Sequence, residues 1–95
     1  MLNHRIRQNL VRWHHQYDWK IKLTGHTDNN GTEKSNLILS EKRARAVQDY
    51  LIKYGLPKEN IHTEWFGQSK PIASNKTKAG RRKNRRVEML VLLRE

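Results

Sequence analysis

Three polar side chains between residues 27 and 43 have the chemistry and the spacing to bind a charged ligand. Asp28 supplies a carboxylate just after a strand-like segment, and Arg43 supplies a guanidinium in the helical pattern that follows. Asn36, between them, adds an amide that both donates and accepts hydrogen bonds. A carboxylate pairs with an ammonium group, and a guanidinium takes a carboxylate through two parallel hydrogen bonds. The set therefore suits a zwitterion, such as the end of an α-amino acid.

A purely structural role for the two charges is the alternative. An Asp28–Arg43 salt bridge would tie the loop to the helix, and ion pairs of this kind are common and contribute little stability. Spacing alone favours this structural ion pair over a ligand site.

Motifs for catalysis and metal binding are missing from the sequence. It contains no Gly-x-Ser-x-Gly motif, no Walker loop and no paired carboxylates at a plausible spacing. It contains no cysteine, which excludes disulfides and thiolate ligands. The adjacent His14 and His15 would point in different directions from a helix and could not hold one metal together. We therefore expect a protein that is not an enzyme and that carries no metal or cofactor.

The strong positive charge predicts an anionic partner or surface. The 95 residues carry a net charge of +11, and the run RRKNRR spans residues 81–86. Nucleic acid is the usual partner of such a basic domain, but no aromatic side chain is interleaved with this run to stack on bases. Anionic surfaces of the cell envelope and a simply solvated basic face are the other interpretations. We therefore do not expect nucleic acid as the partner.

The periodicity of apolar residues indicates the elements that position these side chains. An apolar stripe at three- and four-residue spacing predicts a helix over residues 2–15. Alternation from Trp19 to Leu23 predicts a half-buried strand, and residues 25–36 have the composition of a loop. Two further strands are expected over residues 61–66 and 87–93.

A second helix is expected between the first two strands. Ser40 is predicted as its N-cap, or as part of its first turn if the helix begins nearer Asn36. Gly55 is predicted to end it as the C′ residue, with Pro57 following. Residues 67–80 are polar and are expected to be irregular.

These elements predict a single α+β domain over residues 1–95. A strand–helix–strand unit implies a right-handed parallel crossover, and the last strand can pair antiparallel. The result is a two-layer sandwich, a mixed sheet with helices on one face. No apolar run is long enough to span a bilayer, and the first residues do not form a secretory signal.

Several motifs, in the same order, resemble those of the OmpA-like peptidoglycan-binding domain family. GHTDNNG…N…LSEKRARAV, over residues 25–47, resembles the family's signature. YLIKYGLPKENIHTEWFGQSKPIASN is similar to its helix end, next strand and Gly-then-Pro loop, and TKAGRRKNRRVEMLV to its last motif and strand. The resemblance covers about residues 21–92. The family includes OmpA C-terminal domains, the peptidoglycan-associated lipoprotein and flagellar stator proteins.

The resemblance implies an OmpA-like fold and noncovalent binding of the stem peptide of peptidoglycan. The ligand group is diaminopimelate, whose side-chain end carries an amine and a carboxylate. The family's site residues correspond by motif to six positions here: Asp28 for the ammonium, Arg43 for the carboxylate, Asn36 to support the loop and ligand, Leu39 to line the pocket, Thr27 for a backbone or hydroxyl contact, and Arg86 near the site.

The beginning of the chain departs from the family pattern. The family domain usually opens with a strand before its first helix, and the loop between them helps to line the pocket. This chain starts at the predicted helix, so the fold is expected to lack the family's first strand. The exposed sheet edge would invite pairing with a second copy of the chain, which predicts a homodimer.

The resemblance also implies a place in the cell envelope. It predicts a periplasmic domain that anchors an outer-membrane or envelope protein to the cell wall, with a membrane anchor or barrel lying outside this chain. Two other functions stay open from the sequence. One is a structural or assembly module of the same fold without a ligand, and the other is a basic nucleic-acid-binding module.

Overall fold

The fold is a three-stranded mixed sheet with two helices in the connections. The computed structural model describes residues 18–94, so the helix predicted over residues 2–15 lies outside the described residues. The elements, in chain order, are β1 (Asp18–His26), α1 (Glu33–Lys53), a 3-10 turn (Lys58–Asn60), β2 (Ile61–Trp65), α2 (Lys78–Asn84) and β3 (Arg86–Arg94). The strand order is β2-β1-β3, with β1 parallel to β2 and antiparallel to β3. The predicted α+β class, parallel crossover and antiparallel last strand are confirmed.

The core lies against one face of the sheet. Trp19, Ile21 and Leu23 alternate along β1 onto this face and are fully or almost fully buried. Leu51 of α1 and Leu56, just after the helix, complete the buried cluster. The lysines between the buried residues of β1 are exposed or half-buried on the opposite face. The half-buried strand predicted from this alternation is confirmed.

β1 and α1 approach each other closely at Gly25. A Cβ atom at this position would lie 2.1 Å from the carbonyl oxygen of Ser40 and 3.1 Å from the Cβ of Ala44. Only glycine lets the two backbones come this near. The contact holds the end of β1 against α1, where the predicted site residues lie.

Two predicted boundaries are wrong. α1 begins at Glu33, and Thr32 is its N-cap, because the Thr32 side chain accepts a hydrogen bond from the Ser35 amide. Ser40 therefore lies inside the helix, beyond its first turn. The segment 67–80 is not wholly irregular, because α2 begins at Lys78. Both helices start with charged residues, so no apolar stripe marks their first turns. The predicted end of α1 is confirmed by Gly55, which follows the C-cap with φ of 102°.

β3 lies at one edge of the described sheet. Four of its apolar side chains are substantially exposed: Met89, Leu90, Leu92 and Leu93. Pairing of this edge with a second copy of the chain stays a prediction. Among residues 18–94, no helix combines the length and the hydropathy that a membrane crossing requires.

Candidate ligand-binding site

The predicted carboxylate, Asp28, lies just after the end of β1, in a segment that several hydrogen bonds hold in place. Thr27 follows β1, and its amide donates to the carbonyl of Gly67 at 2.9 Å. The Thr27 hydroxyl donates to the backbone oxygen of Asp28 at 2.8 Å. The amide and the hydroxyl of Thr27 thus both donate within the protein, where they fix the backbone that carries Asp28. Contact between Thr27 and a ligand stays a prediction.

Asn36, in the first turn of α1, is hydrogen-bonded to the segment that carries Asp28. Its buried side-chain amide donates to the backbone oxygen of Asp28 at 3.3 Å and to Oε1 of Gln68 at 2.7 Å. The Ser40 hydroxyl accepts from the Gly67 amide at 2.9 Å, one turn further along the helix. The loop after β2 and the loop after β1 are therefore both bonded to α1. This agrees with the supporting role that the sequence resemblance implies for Asn36.

Arg43 and Leu39 extend from the same stripe of α1 as Asn36. The three residues are spaced three and four apart, which places them on one side of a helix. Leu39 is 38% exposed and offers an apolar surface beside the polar groups. Arg43 is half-buried, and its Nη1 donates to the carbonyl of His26 at 3.3 Å. In the described part of the chain, no hydrogen bond or ion pair joins Arg43 to Asp28.

The partner of Asp28 is instead Arg85, which the sequence analysis did not include among the site residues. Nη1 of Arg85 lies 2.8 Å from Oδ2 of Asp28, and the amide of Asn30 donates to Oδ1 at 3.0 Å. The Asp28 residue is only 6% exposed. Burial by itself would raise the pKa of Asp28, but the hydrogen bonds from Arg85 and Asn30, with the charges of Arg85 and Arg81, outweigh it. The pKa of Asp28 is therefore lowered, and the carboxylate is ionised at neutral pH.

Arg86 lies away from this group. Its side chain forms a salt bridge with Glu88 at 2.7 Å and donates to the backbone oxygens of Lys70 and Asn84. It is paired across the sheet with His26, on the face opposite α1. A role for Arg86 near a ligand stays a prediction, and the contact with Asp28 belongs to its neighbour. The alternation of β3 contained this signal, because Arg85 has the same parity as the apolar residues Val87 and Val91, which pack against the core.

Asn84 fixes the position of Arg85. It is fully buried at the end of α2, and its Oδ1 accepts from the amides of Ile72 and Ala73 at 2.8 and 3.0 Å. Its Nδ2 donates to the oxygen of Ala73 and to Oδ1 of Asn75 at 2.9 and 2.8 Å. One side chain thereby holds the loop before α2 against the end of that helix. Arg85 is the next residue, so its backbone is firmly placed.

The packing of α2 adds to this arrangement. The Thr77 side chain caps the helix by accepting from the Gly80 amide at 2.9 Å. A Cβ atom on Gly80 would lie 1.8 Å from the carbonyl oxygen of Ser74, so only glycine fits there. The contact at Gly80 packs α2 closely against the loop before it, the same loop to which Asn84 is hydrogen-bonded.

The assembled group consists of a buried carboxylate, two guanidiniums, an amide and an exposed leucine. The carboxylate can accept from a ligand ammonium, and the guanidiniums can each take a carboxylate. No three His, Asp or Glu side chains among residues 18–94 are grouped as metal ligands would be. A group of this composition can bind a charged ligand, and it contains no nucleophile paired with a base.

A shallow groove adjoins this group across the Asn36–Gln68 hydrogen bond. It lies between the first turns of α1 and the loop after β2. Its walls mix charged, polar and apolar side chains: Glu33, Lys34, Leu37, Phe66, Gln68 and Ser69.

Comparisons with known proteins place the chain in a family. The model of the OmpA family matches residues 2–85. Outer-membrane lipoprotein YfiB of Pseudomonas aeruginosa is 50% identical over 72 residues, which cover 76% of this chain and 43% of that protein. Peptidoglycan-binding protein ArfA of Mycobacterium tuberculosis is 47% identical over 74 residues, which cover 78% of this chain and 23% of that protein.

Solved structures agree with the sequence comparison. The peptidoglycan-associated lipoprotein of Burkholderia pseudomallei superposes with a TM-score of 0.80 at 27% identity, covering 96% of this chain and 80% of that one. The chain spans less than half the length of each of these two curated relatives. The match to the family model extends over most of the chain, and the chain therefore belongs to the OmpA family.

Proposed function

We propose that this domain binds peptidoglycan noncovalently, through the amine and carboxylate at the side-chain end of a diaminopimelate residue in the stem peptide. The observation that carries the proposal is the buried, ionised carboxylate of Asp28 beside the α1 stripe that ends in Arg43. The name of the relative ArfA, a peptidoglycan-binding protein, supports the same class of ligand.

Binding divides the two ligand charges between two elements. The ligand ammonium approaches Asp28 at the end of β1, and the ligand carboxylate meets the guanidinium of Arg43 on α1. Leu39 packs against the methylene groups that lead to the carbon carrying both charges, and Asn36 keeps the β1 loop at a fixed distance from the helix. No bond is made or broken. The close approach at Gly25 sets the distance between β1 and α1. That distance must match the separation of the ammonium and the carboxylate in the ligand.

The energetic contribution should be concentrated in the two charged contacts. Removing one partner of a hydrogen-bonded charge pair in a partly desolvated site typically costs about 2–5 kcal/mol of binding. Exposed charges elsewhere on the domain should contribute far less. The proposal places the domain in the periplasm, where it would anchor an envelope protein to the cell wall.

Cosedimentation with purified sacculi tests this function. Asp28→Ala should lose most of the binding, whereas Asp49→Ala, which removes an exposed acid on α1, should bind as the parent does. Arg43→Ala should likewise lose binding, and Lys42→Ala, the exposed neighbouring cation, should keep it. Retention of full binding by both Asp28→Ala and Arg43→Ala would contradict the proposal.

A second candidate function rests on the charge distribution. Every charged residue between Glu64 and Glu88 is Lys or Arg, and most of them are exposed. Such a surface could bind nucleic acid or another polyanion through charge alone. That binding would fall steeply with added salt and would not depend on Asp28. Sacculus binding and the binding of a DNA duplex, each measured at two salt concentrations, separate the two functions.

A further inference from the structure

The edge of β3 that faces away from β1 lacks the features that usually protect an edge strand. In the described part of the chain, β1 is the only strand beside β3, and their register runs without a bulge. Residues 89–93 read MLVLL, with no lysine and no proline among them. Exposed edges are commonly guarded by lysines, prolines or bulges, because their unpaired backbone groups invite another strand. The far edge of β3 therefore offers a second strand both backbone partners and apolar side chains.

Apolar side chains of this edge are exposed on both faces of the sheet. Met89 and Leu93 lie on the face that carries α1, but α1 packs mainly across β1 and β2 and leaves them 43% and 53% exposed. Leu90 and Leu92 lie on the opposite face and are 55% and 50% exposed. A strand that pairs with this edge and carries apolar side chains on both of its own faces would cover all four.

The β3 strand of a second copy meets this description, and symmetry limits how it can pair. When a twofold axis is perpendicular to the sheet, the two strands are antiparallel, and the numbers of facing residues add to a constant, even sum. A sum of 182 puts Val91 on the axis. Leu90 then faces Leu92 of the other copy, and Met89 faces Leu93 of the other copy. Every exposed apolar side chain of the edge thereby gains an apolar partner.

Charge complementarity favours the same register. The sum of 182 sets Glu88 opposite Arg94 of the other copy, which are residues of unlike charge. A sum of 180 sets Arg86 opposite Arg94, and like charges directly across a strand pair are destabilising. A sum of 184 sets Leu90 opposite Arg94 and leaves that leucine without an apolar partner. Of these three registers, only the sum of 182 matches apolar residues with each other and opposes unlike charges.

We propose that the edge of β3 is an interaction surface for a second copy of this chain, paired antiparallel about Val91 so that the two sheets join into one. The start of β3 at Arg86 lies about 17 Å from the axis, at about 3.4 Å per residue. The two groups around Asp28, which lie beside the starts of the two β3 strands, are therefore at opposite ends of the dimer, roughly 35 Å apart. If the proposed function holds, the dimer binds two wall ligands at once and gains avidity from both.

Analytical ultracentrifugation of the full chain, over a range of concentrations and without any ligand, tests this interface. The parent should sediment as a monomer and a dimer in concentration-dependent equilibrium. Leu90→Glu and Leu92→Lys should each raise the dissociation constant of the dimer about tenfold or more, since the symmetry applies each change twice. The variant with both changes should recover most of this loss, because each introduced glutamate then faces an introduced lysine. Leu90→Lys combined with Leu92→Lys should stay monomeric.

Ile72→Glu is the matched control, because it places the same charge on another exposed apolar residue, outside the sheet. It should dimerise as the parent does, and circular dichroism should show that every variant keeps the fold. A parent that is monomeric at its highest soluble concentration, or a Leu90→Glu/Leu92→Lys protein that dimerises no better than the single variants, would overturn the inference. No wall ligand is present in this experiment, so a failure of the proposed function would leave its result unchanged.

Discussion

Replacing Asn84 by alanine should destabilise the domain strongly, although the residue is polar. The side chain is fully buried and makes four hydrogen bonds, three of them to the backbone of residues 72–73. Each such bond contributes about 0.5–1.5 kcal/mol, and a stranded buried partner costs about 1–3 kcal/mol. The free energy of unfolding of Asn84→Ala should therefore fall by roughly 2–4 kcal/mol.

That loss is large for a domain of this size. A chain of 95 residues has a total stability of about 5–14 kcal/mol at the usual stability per residue. A loss of one kcal/mol lowers the unfolding midpoint of a small domain by roughly 4–8 °C. Urea unfolding followed by circular dichroism and tryptophan fluorescence would measure the change directly.

Asn75→Ala is the control for this prediction. It removes one of the four partners of Asn84 and leaves the three backbone bonds in place. Its cost should stay near 1 kcal/mol or below. If Asn84→Ala unfolds within about 0.5 kcal/mol of the parent, or if the two variants lose equal stability, water has replaced the bonds and Asn84 does not hold the loop.

Three further perturbations follow from the same contacts. Gly25→Ala would drive a Cβ atom into the carbonyl of Ser40, and urea unfolding should show a loss of about 1–3 kcal/mol or more. The pKa of His26 is lowered, chiefly by burial and then by the positive charge of Arg86. The charge of Glu88 opposes this shift, and the charge of Lys70 adds to it slightly. The unfolded chain therefore binds a proton more readily there, so stability should decline as the pH falls below about 6.5, and His26→Phe should flatten that part of the profile. The lowered pKa of Asp28 acts at more acid pH: its contribution is present above about pH 4 and is lost as the pH falls through the folded-state value, and Arg85→Gln should shift that loss to higher pH.

Much of the fold followed from periodicity. The alternation of residues 19–23 predicted β1, and the glycine at position 55 predicted the end of α1, because both signals are local. The starts of α1 and α2 were missed because neither first turn carries a large apolar residue, and each helix begins at a threonine cap. A cap is a single side chain on a particular backbone geometry, and a polar loop offers several candidates for it.

The site was predicted in part for a related reason. Asp28, Asn36 and Arg43 lie where a strand end and a helical stripe meet, and both elements could be inferred from spacing. The ion pair could not, since the partner of Asp28 is 57 residues away on another element. When the alternation of β3 is continued to the residue before its start, Arg85 falls on the side of Val87 and Val91, and Arg86 falls on the opposite side. Only this pattern distinguishes the two arginines.

The most direct test of the zwitterion site is a change in the ligand rather than in the protein. Two stem peptides would be titrated into the parent and into Arg43→Ala, one with diaminopimelate and one with lysine at the same position, which lacks the side-chain carboxylate. The parent should bind the diaminopimelate peptide at least about thirtyfold more tightly, the lower end of the cost of an unpaired buried charge. Arg43→Ala should bind both peptides weakly and equally. Equal binding of the two peptides by the parent would contradict the assignment of Arg43 to the ligand carboxylate, and with it the proposed mode of wall binding.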